Sequence, residues 1–139
     1  MKPEAKKKLL ESKRMAAAEV AAIKGSQAAG TLTKDAVRHG FYKYVLAKYM
    51  LDEDEAVSTE IAALAAQSLA KIVKIDKELI GNADKPATCD GASSVDMKQS
   101  LLIMALQREF EIKLDGLKVA FADTTDELAD LMWVALQNA

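Results

Sequence analysis

Apolar residues recur every three or four positions along most of this chain, and few helix-breaking residues interrupt them. The 139 residues include only 6 Gly and 2 Pro, while half of the chain is apolar and rich in Ala, Leu, Lys, Glu and Met. Such spacing places apolar side chains on one face of an α-helix, and this composition favours helices over sheets. The sequence therefore predicts an all-α fold.

The first 50 residues predict two helices. Residues 3–24 form the first, with an apolar stripe made of Leu9, Ala16, Val20 and Ile23. Gly25 is expected to end it, because glycine commonly terminates helices. A second helix is expected to begin after Thr33, a good N-cap residue, and to run to about residue 49. Its predicted inner face consists of Val37, Phe41, Tyr44 and Val45.

The remainder predicts three helices and one short element. A helix is predicted over 54–74, with the acidic residues 52–55 around its start. A loop over 75–94 follows it. A helix over 96–110, a short element around 117–121 and a last helix from Thr124 or Thr125 to about 136 complete the chain. The predicted core residues of this half are Ile61, Leu64, Leu69, Ile72, Val73, Leu101, Leu102, Met104, Ala105, Phe110, Leu128, Leu131, Met132 and Val134.

Charge divides the chain into two parts. Residues 1–50 hold 11 Lys/Arg against 4 Asp/Glu, whereas residues 51–139 hold 8 against 17. We therefore expect a basic N-terminal helical extension over 1–52 and a separate domain over 53–139. An acidic half suits docking onto basic partner surfaces, and the basic half suits acids, phosphates or the chain's own acidic half. Ordinary solvated helix faces would produce the same pattern.

Other features exclude several functional classes. The single Cys89 excludes an intramolecular disulfide and indicates a reducing, cytoplasmic compartment, while the single His39 excludes a histidine-cluster metal site. No apolar run reaches the roughly 18 residues of a membrane span, and no signal peptide is recognisable. The lysine-rich start lacks interleaved aromatic residues, which argues against nucleic-acid binding. No general acid–base or nucleophile–base pair is evident, so we expect no enzymatic activity.

Residues 96–132, DMKQSLLIMALQREFEIKLDGLKVAFADTTDELADLM, resemble the second half of an acyl carrier protein. MALQREF at 104–110, Leu114 and TTDEL at 124–128 keep the order and spacing of that family. Upstream, AALAAQSLAKIVKIDKELI resembles its first helix, so the resemblance covers about 56–136. It implies an acyl-carrier-like four-helix bundle, here preceded by two additional N-terminal helices.

The attachment position of the family carries the wrong residue here. Acyl carriers attach 4′-phosphopantetheine to the serine of Asp-Ser-Leu, and the ungapped register places Asp96 at that serine and Met97 at the leucine. A carboxylate cannot form the stable phosphodiester, so no cofactor is expected. The resemblance then implies a divergent carrier that docks by its acidic second helix onto partner proteins with basic surfaces. The candidate docking residues are Asp96, Met97, Glu109 and Trp133.

Two alternatives stay open. GASSVD at 91–96 resembles the sequence around the attachment serine, which would make Ser94 the site of a 4′-phosphopantetheine arm in a working carrier. That register adds two residues to the second helix and points Lys98 inward, and Ser93 and Ser94 also suit a helix cap. A working carrier requires Ser94 at the helix start, whereas the divergent carrier requires Asp96 there with Met97 in the core. The other alternative is an unrelated helical adaptor.

Overall fold

A computed structural model of the chain describes residues 3–80 and 91–138, and within them the side chains of residues 6–71 and 95–138. Six helices and no β-strand are found in these residues, which confirms the predicted all-α fold. The helices are α1 (Pro3–Ala29), α2 (Lys34–Lys48), α3 (Ile61–Ile80), α4 (Gly91–Phe110), α5 (Gly116–Ala120) and α6 (Thr125–Gln137).

Several predicted helix boundaries are wrong. The helix α1 passes through Gly25 and ends before Gly30, whose φ of +73° lies in the left-handed region. A glycine inside a helix costs only about 1 kcal/mol relative to alanine, whereas a left-handed residue ends the helix. The loop predicted over 75–94 is helical at both ends, because α3 continues to Ile80 and α4 begins at Gly91. The middle of that loop, 81–90, lies outside the described residues.

The connection from α2 to α3 is held by side chains of α3. α3 begins at Ile61 and not at 54, so the acidic residues 52–55 lie in the connection. The Lys71 ammonium donates to the carbonyl oxygen of Met50 at 2.7 Å, and the Gln67 side chain accepts from the Val57 N–H at 3.2 Å. Because these bonds pair backbone groups that a helix would otherwise pair, the connection is stable without being helical.

The helices share one hydrophobic core. α2 packs against α1 and α6, and α3 packs against α4. The fully buried ring of Tyr44 in α2 lies 5.9 Å from the ring of Phe41 and 5.3 Å, edge to face, from the ring of Phe110 in α4. Residues from both sides of the predicted boundary at 52/53 therefore contribute to this core; the boundary itself stays a prediction.

Most predicted core residues are buried. The confirmed ones are Ala16, Ile23, Val37, Phe41, Tyr44, Val45, Ile61, Leu64, Leu102, Phe110, Leu128 and Met132. Leu101, Met104 and Val134 are exposed, so their assignment to the core is wrong. The side chains of Ile72 and Val73 lie outside the described ones. α4 and α6 carry apolar residues on more than one face, and helical spacing alone does not determine which face points inward.

A capping box and two backbone hydrogen bonds to the segment around the start of α3 hold the start of α6. Thr124 caps the helix and forms a capping box with Glu127, as the predicted start at Thr124 or Thr125 requires. The Ile61 N–H also donates to Asp123 O at 2.9 Å, and the Thr125 N–H donates to Thr59 O at 2.9 Å. These two bonds join the starts of α3 and α6.

None of the described helices has the length and apolarity needed to cross a membrane.

Candidate docking surface

The helix α4 has two apolar faces. Leu102, Leu106 and Phe110 point into the core and are at most 3% exposed. On the opposite side Met97, Leu101 and Met104 are 62%, 57% and 61% exposed. Spacings of four and three residues align these three side chains in one row, which we call the α4 row. Exposed apolar side chains arranged contiguously commonly mark an interaction surface.

The C-terminal end of α4 is firmly held, so the α4 row has a rigid base. Glu111 adopts a φ of +56°, and the Ile112 N–H donates to Gln107 O at 3.0 Å, which closes the last turn. The Gln107 side chain accepts from the Leu114 N–H at 2.9 Å. Ile112 and Leu114 are both buried, which ties the segment after α4 to the core.

Asp96 and Met97 do not lie at the start of a helix. α4 begins at Gly91, so Asp96 is its sixth residue and is exposed. Met97 points to solvent, and the expectation that it turns into the core is wrong. Ser94 lies in the first turn of α4, as does Ser93, so neither precedes the helix as a cap; their side chains are outside the described ones.

Glu109, one of the predicted docking residues, has two partners inside the molecule. The Tyr44 hydroxyl donates to its carboxylate at 2.6 Å, and the Lys48 ammonium lies 2.9 Å from the same oxygen. Partial burial by itself would raise the pKa of Glu109, but these hydrogen bonds and the charge of Lys48 outweigh it and lower that pKa. Glu109 therefore joins α4 to α2.

Trp133 is half-buried and packs against the core, while its neighbour Val134 is 54% exposed. Trp133 lies on α6, which packs against α2, whereas Asp96 and Met97 lie on α4. The four predicted docking residues thus separate into two exposed residues on α4, one residue engaged in an internal network and one at the edge of the core.

Part of the basic half pairs with the acidic half of the same chain. Among the described ion pairs, four cations of α1 and α2 meet carboxylates of the second half of the chain. These pairs are Lys24–Glu111, Lys34–Asp130, Arg38–Asp130 and Lys48–Glu109, at 2.9, 3.9, 2.8 and 2.9 Å. The charge asymmetry therefore has an internal structural role in addition to any role toward partners.

Two shallow depressions lie elsewhere on the surface. One of about 270 Å³ lies between α1 and α2, with Met15, Leu46 and Leu51 in its lining. The other, of about 340 Å³, has Arg38, His39 and Thr125 in its lining. Neither touches the α4 row. Cys89 lies outside the described residues.

Leu101 and Met104 are the docking candidates that the sequence prediction assigned to the core. A signal was available in their spacing. A helix buried on one side carries one apolar stripe, whereas α4 carries a second, at 97, 101 and 104, opposite the stripe at 102, 106 and 110.

In comparisons with known proteins, no family model, curated protein or solved structure matches this chain significantly.

Proposed function

We propose that this chain is a divergent acyl-carrier-like protein that acts by docking to partner proteins through α4, without a 4′-phosphopantetheine arm. The observation that carries the proposal is the α4 row of Met97, Leu101 and Met104, exposed opposite the core and adjacent to the exposed carboxylate of Asp96. Methionine side chains are flexible and polarisable, which suits a surface that accommodates more than one partner shape.

The order of helices supports the carrier-like class. From α3 onward the chain has two long helices, a five-residue helix and a final helix, in the order that the resemblance implies. Asp96 falls at the position of the attachment serine in the ungapped register, and a carboxylate does not accept the arm. Because α4 begins five residues earlier, at Gly91, and Met97 is exposed, the proposal depends on this missing serine and on the α4 row, and not on the helix start at Asp96 that the sequence predicted. The location that we propose is cytoplasmic, on the basis of the single cysteine.

The proposed partner surface is mainly apolar with a basic group opposite Asp96. α4 contains only two acidic residues, Asp96 and Glu109, and Glu109 is engaged with Tyr44 and Lys48. A broadly basic partner surface would therefore meet only one available carboxylate on α4. Apolar contact at the α4 row supplies most of the binding free energy in this proposal, and Asp96 orients the partner.

Site-specific cross-linking tests the docking role. A photoreactive amino acid placed at 101 in cells that produce the chain is expected to form a discrete adduct with another protein. The matched control is the same amino acid at 134, because Val134 on α6 is 54% exposed against 57% for Leu101. Equal adduct formation from both positions, or none from either, would contradict docking through α4.

A working carrier is the second candidate function. It is favoured by the start of α4 at Gly91, which places Ser94 in the first turn, where backbone N–H groups favour an anionic phosphodiester. Intact mass measured after incubation with coenzyme A and a broad-specificity phosphopantetheinyl transferase separates the two functions. An added arm that Ser94→Ala abolishes and Ser93→Ala retains would replace the first proposal. An unchanged mass, with a known carrier modified alongside, would support it.

A further inference from the structure

The α4 row continues into a pattern that fits a second helix. Met97, Leu101, Met104 and Arg108 follow one another at intervals of four, three and four residues, and Arg108 is exposed like the other three. The intervals from 97 to 104 sum to seven residues, which is one repeat of the seam along which two helices pack in a coiled coil, and Arg108 continues the same face. A seam that is one side chain wide matches another helix better than a flat protein surface.

The two ends of this seam carry opposite charges. Exposed Asp96, which projects about 100° around the helix from Met97, flanks the seam at one end, and exposed Arg108 forms the other end, where it faces Met97 of the second copy in the pairing described next. When two copies of α4 pair antiparallel about a two-fold axis between 101 and 104, Leu101 of each copy faces Met104 of the other. Each Asp96 end then meets an Arg108 end, so the surface is complementary to itself.

We propose that α4 of one molecule binds α4 of a second copy antiparallel along this seam, which gives a weak homodimer. The inference uses the same face as the proposed function, but it does not require a partner of another kind. A seam of three apolar side chains is smaller than a stable interface, since stable interfaces bury at least about 1,200 Å². The dimer therefore forms at high protein concentration and dissociates readily, and it leaves the α4 row accessible at low concentration.

Sedimentation velocity of the full chain from about 10 µM to about 1 mM tests the dimer, because this range brackets weak association. The expected result is a dimer fraction that rises with concentration. Leu101→Glu is expected to weaken the dimer at least tenfold, because it places a carboxylate in the centre of the apolar seam. Val134→Glu, on the exposed side of α6, is the matched control and is expected to change the dissociation constant by less than about twofold.

Charge exchange tests the antiparallel register. Asp96→Arg alone places a guanidinium against Arg108 at both ends of the seam, and Arg108→Asp alone places a carboxylate against Asp96 at both ends. Each variant is therefore expected to associate more weakly than the wild type. An equimolar mixture of the two variants restores attractive pairs at both ends and is expected to associate more strongly than either variant by itself. Circular dichroism verifies that each variant is folded.

Three results would overturn the dimer: a wild type that is monomeric throughout the concentration range, a Leu101→Glu variant that associates like the wild type, or a mixture no stronger than its components. A monomeric wild type that cross-links to another protein from position 101 would remove this inference and keep the proposed function. Dimerisation without any such adduct would keep this inference and contradict the proposed function.

Discussion

Tyr44 contributes its ring to the core and its hydroxyl group to a charged network. Its ring is fully buried between Phe41 and Phe110, while its hydroxyl donates to the Glu109 carboxylate at 2.6 Å. Burial raises the pKa of Tyr44, and the neighbouring Glu109 raises it further. The hydroxyl therefore stays protonated and acts as a permanent donor. This bond gives Glu109, a predicted docking residue, a structural role inside the molecule.

Replacement of Tyr44 by phenylalanine isolates the hydrogen bond. The ring contacts remain, but a partly buried carboxylate loses one donor and keeps Lys48. We expect the free energy of unfolding to fall by about 1.5–3 kcal/mol, the range of hydrogen bonds to charged groups. Urea denaturation measures the loss. Tyr42→Phe, at a half-buried tyrosine on the same helix, is the control and is expected to change stability by less than about 0.5 kcal/mol.

At the scale of elements, α1 and α2 approach each other closely at one glycine. A Cβ atom added to Gly40 in α2 would lie 3.0 Å from Cδ1 of Ile23 in α1, whereas a Cβ atom added to Gly25 would have nothing within 4 Å. Both glycines lie inside helices, so both substitutions gain the same intrinsic helix propensity. Only the packing environment differs.

The two alanine variants therefore form a matched pair. Gly25→Ala is expected to stabilise the protein by about 0.5–1 kcal/mol, because alanine restricts the unfolded chain and favours the helix. Gly40→Ala is expected to gain less, or to destabilise, because Ile23 must move to accommodate the new methyl group. Thermal unfolding of both variants measures the difference. Equal stabilisation would show that Ile23 adjusts freely and that the close approach is unimportant.

The elements also show where sequence prediction succeeds. The cap at Thr33, the capping box at Thr124 and the inner face of α2 were all predictable, because each depends on a local pattern. The exposed row on α4 was not, since two apolar faces compete for the interior and only the positions of α2 and α3 decide between them. The internal role of Glu109 depends on a residue 65 positions away in sequence, so no local pattern reveals it.

At the scale of the whole molecule, carboxylates that link distant helices make stability depend on pH. The Arg38 guanidinium holds the pKa of Asp130 below its ordinary value, and that of Glu109 is also lowered. Because these pKa values are lower in the folded than in the unfolded state, the stabilisation is complete above the unfolded pKa of about 4 and is lost as pH falls through the folded value.

Asp130→Asn is expected to be less stable than the wild type at pH 7, and this difference should shrink progressively as the pH falls from about 5 to about 2. Urea denaturation across that pH range measures it. Asp126→Asn, an exposed carboxylate near the start of α6, serves as the control for removal of one charge from that helix. A stability difference for Asp130→Asn that does not change with pH would contradict the role assigned to the ion pair.

A fragment of residues 53–139 tests the predicted domain boundary directly. The fragment lacks Phe41 and Tyr44, which lie at the centre of the core, and it lacks α2, against which α6 packs. We expect it to be poorly folded, with weak helical circular dichroism and no cooperative thermal transition. A cooperative transition in the fragment would show that the second part folds by itself as an independent domain.

The packing of α6 against α2 has a consequence for biosynthesis. The side chain of Gln27, near the end of α1, donates to the carbonyl oxygen of Leu136 in α6 at 2.8 Å, so the first and last helices described are joined directly. The apolar face of α2 leaves the ribosome long before Leu128, Met132 and Leu136 are available to cover it. We therefore expect the core to be completed only after α6 has been translated. During that interval the part of the α2 face that α6 covers in the folded protein is exposed, which favours aggregation of the nascent chain.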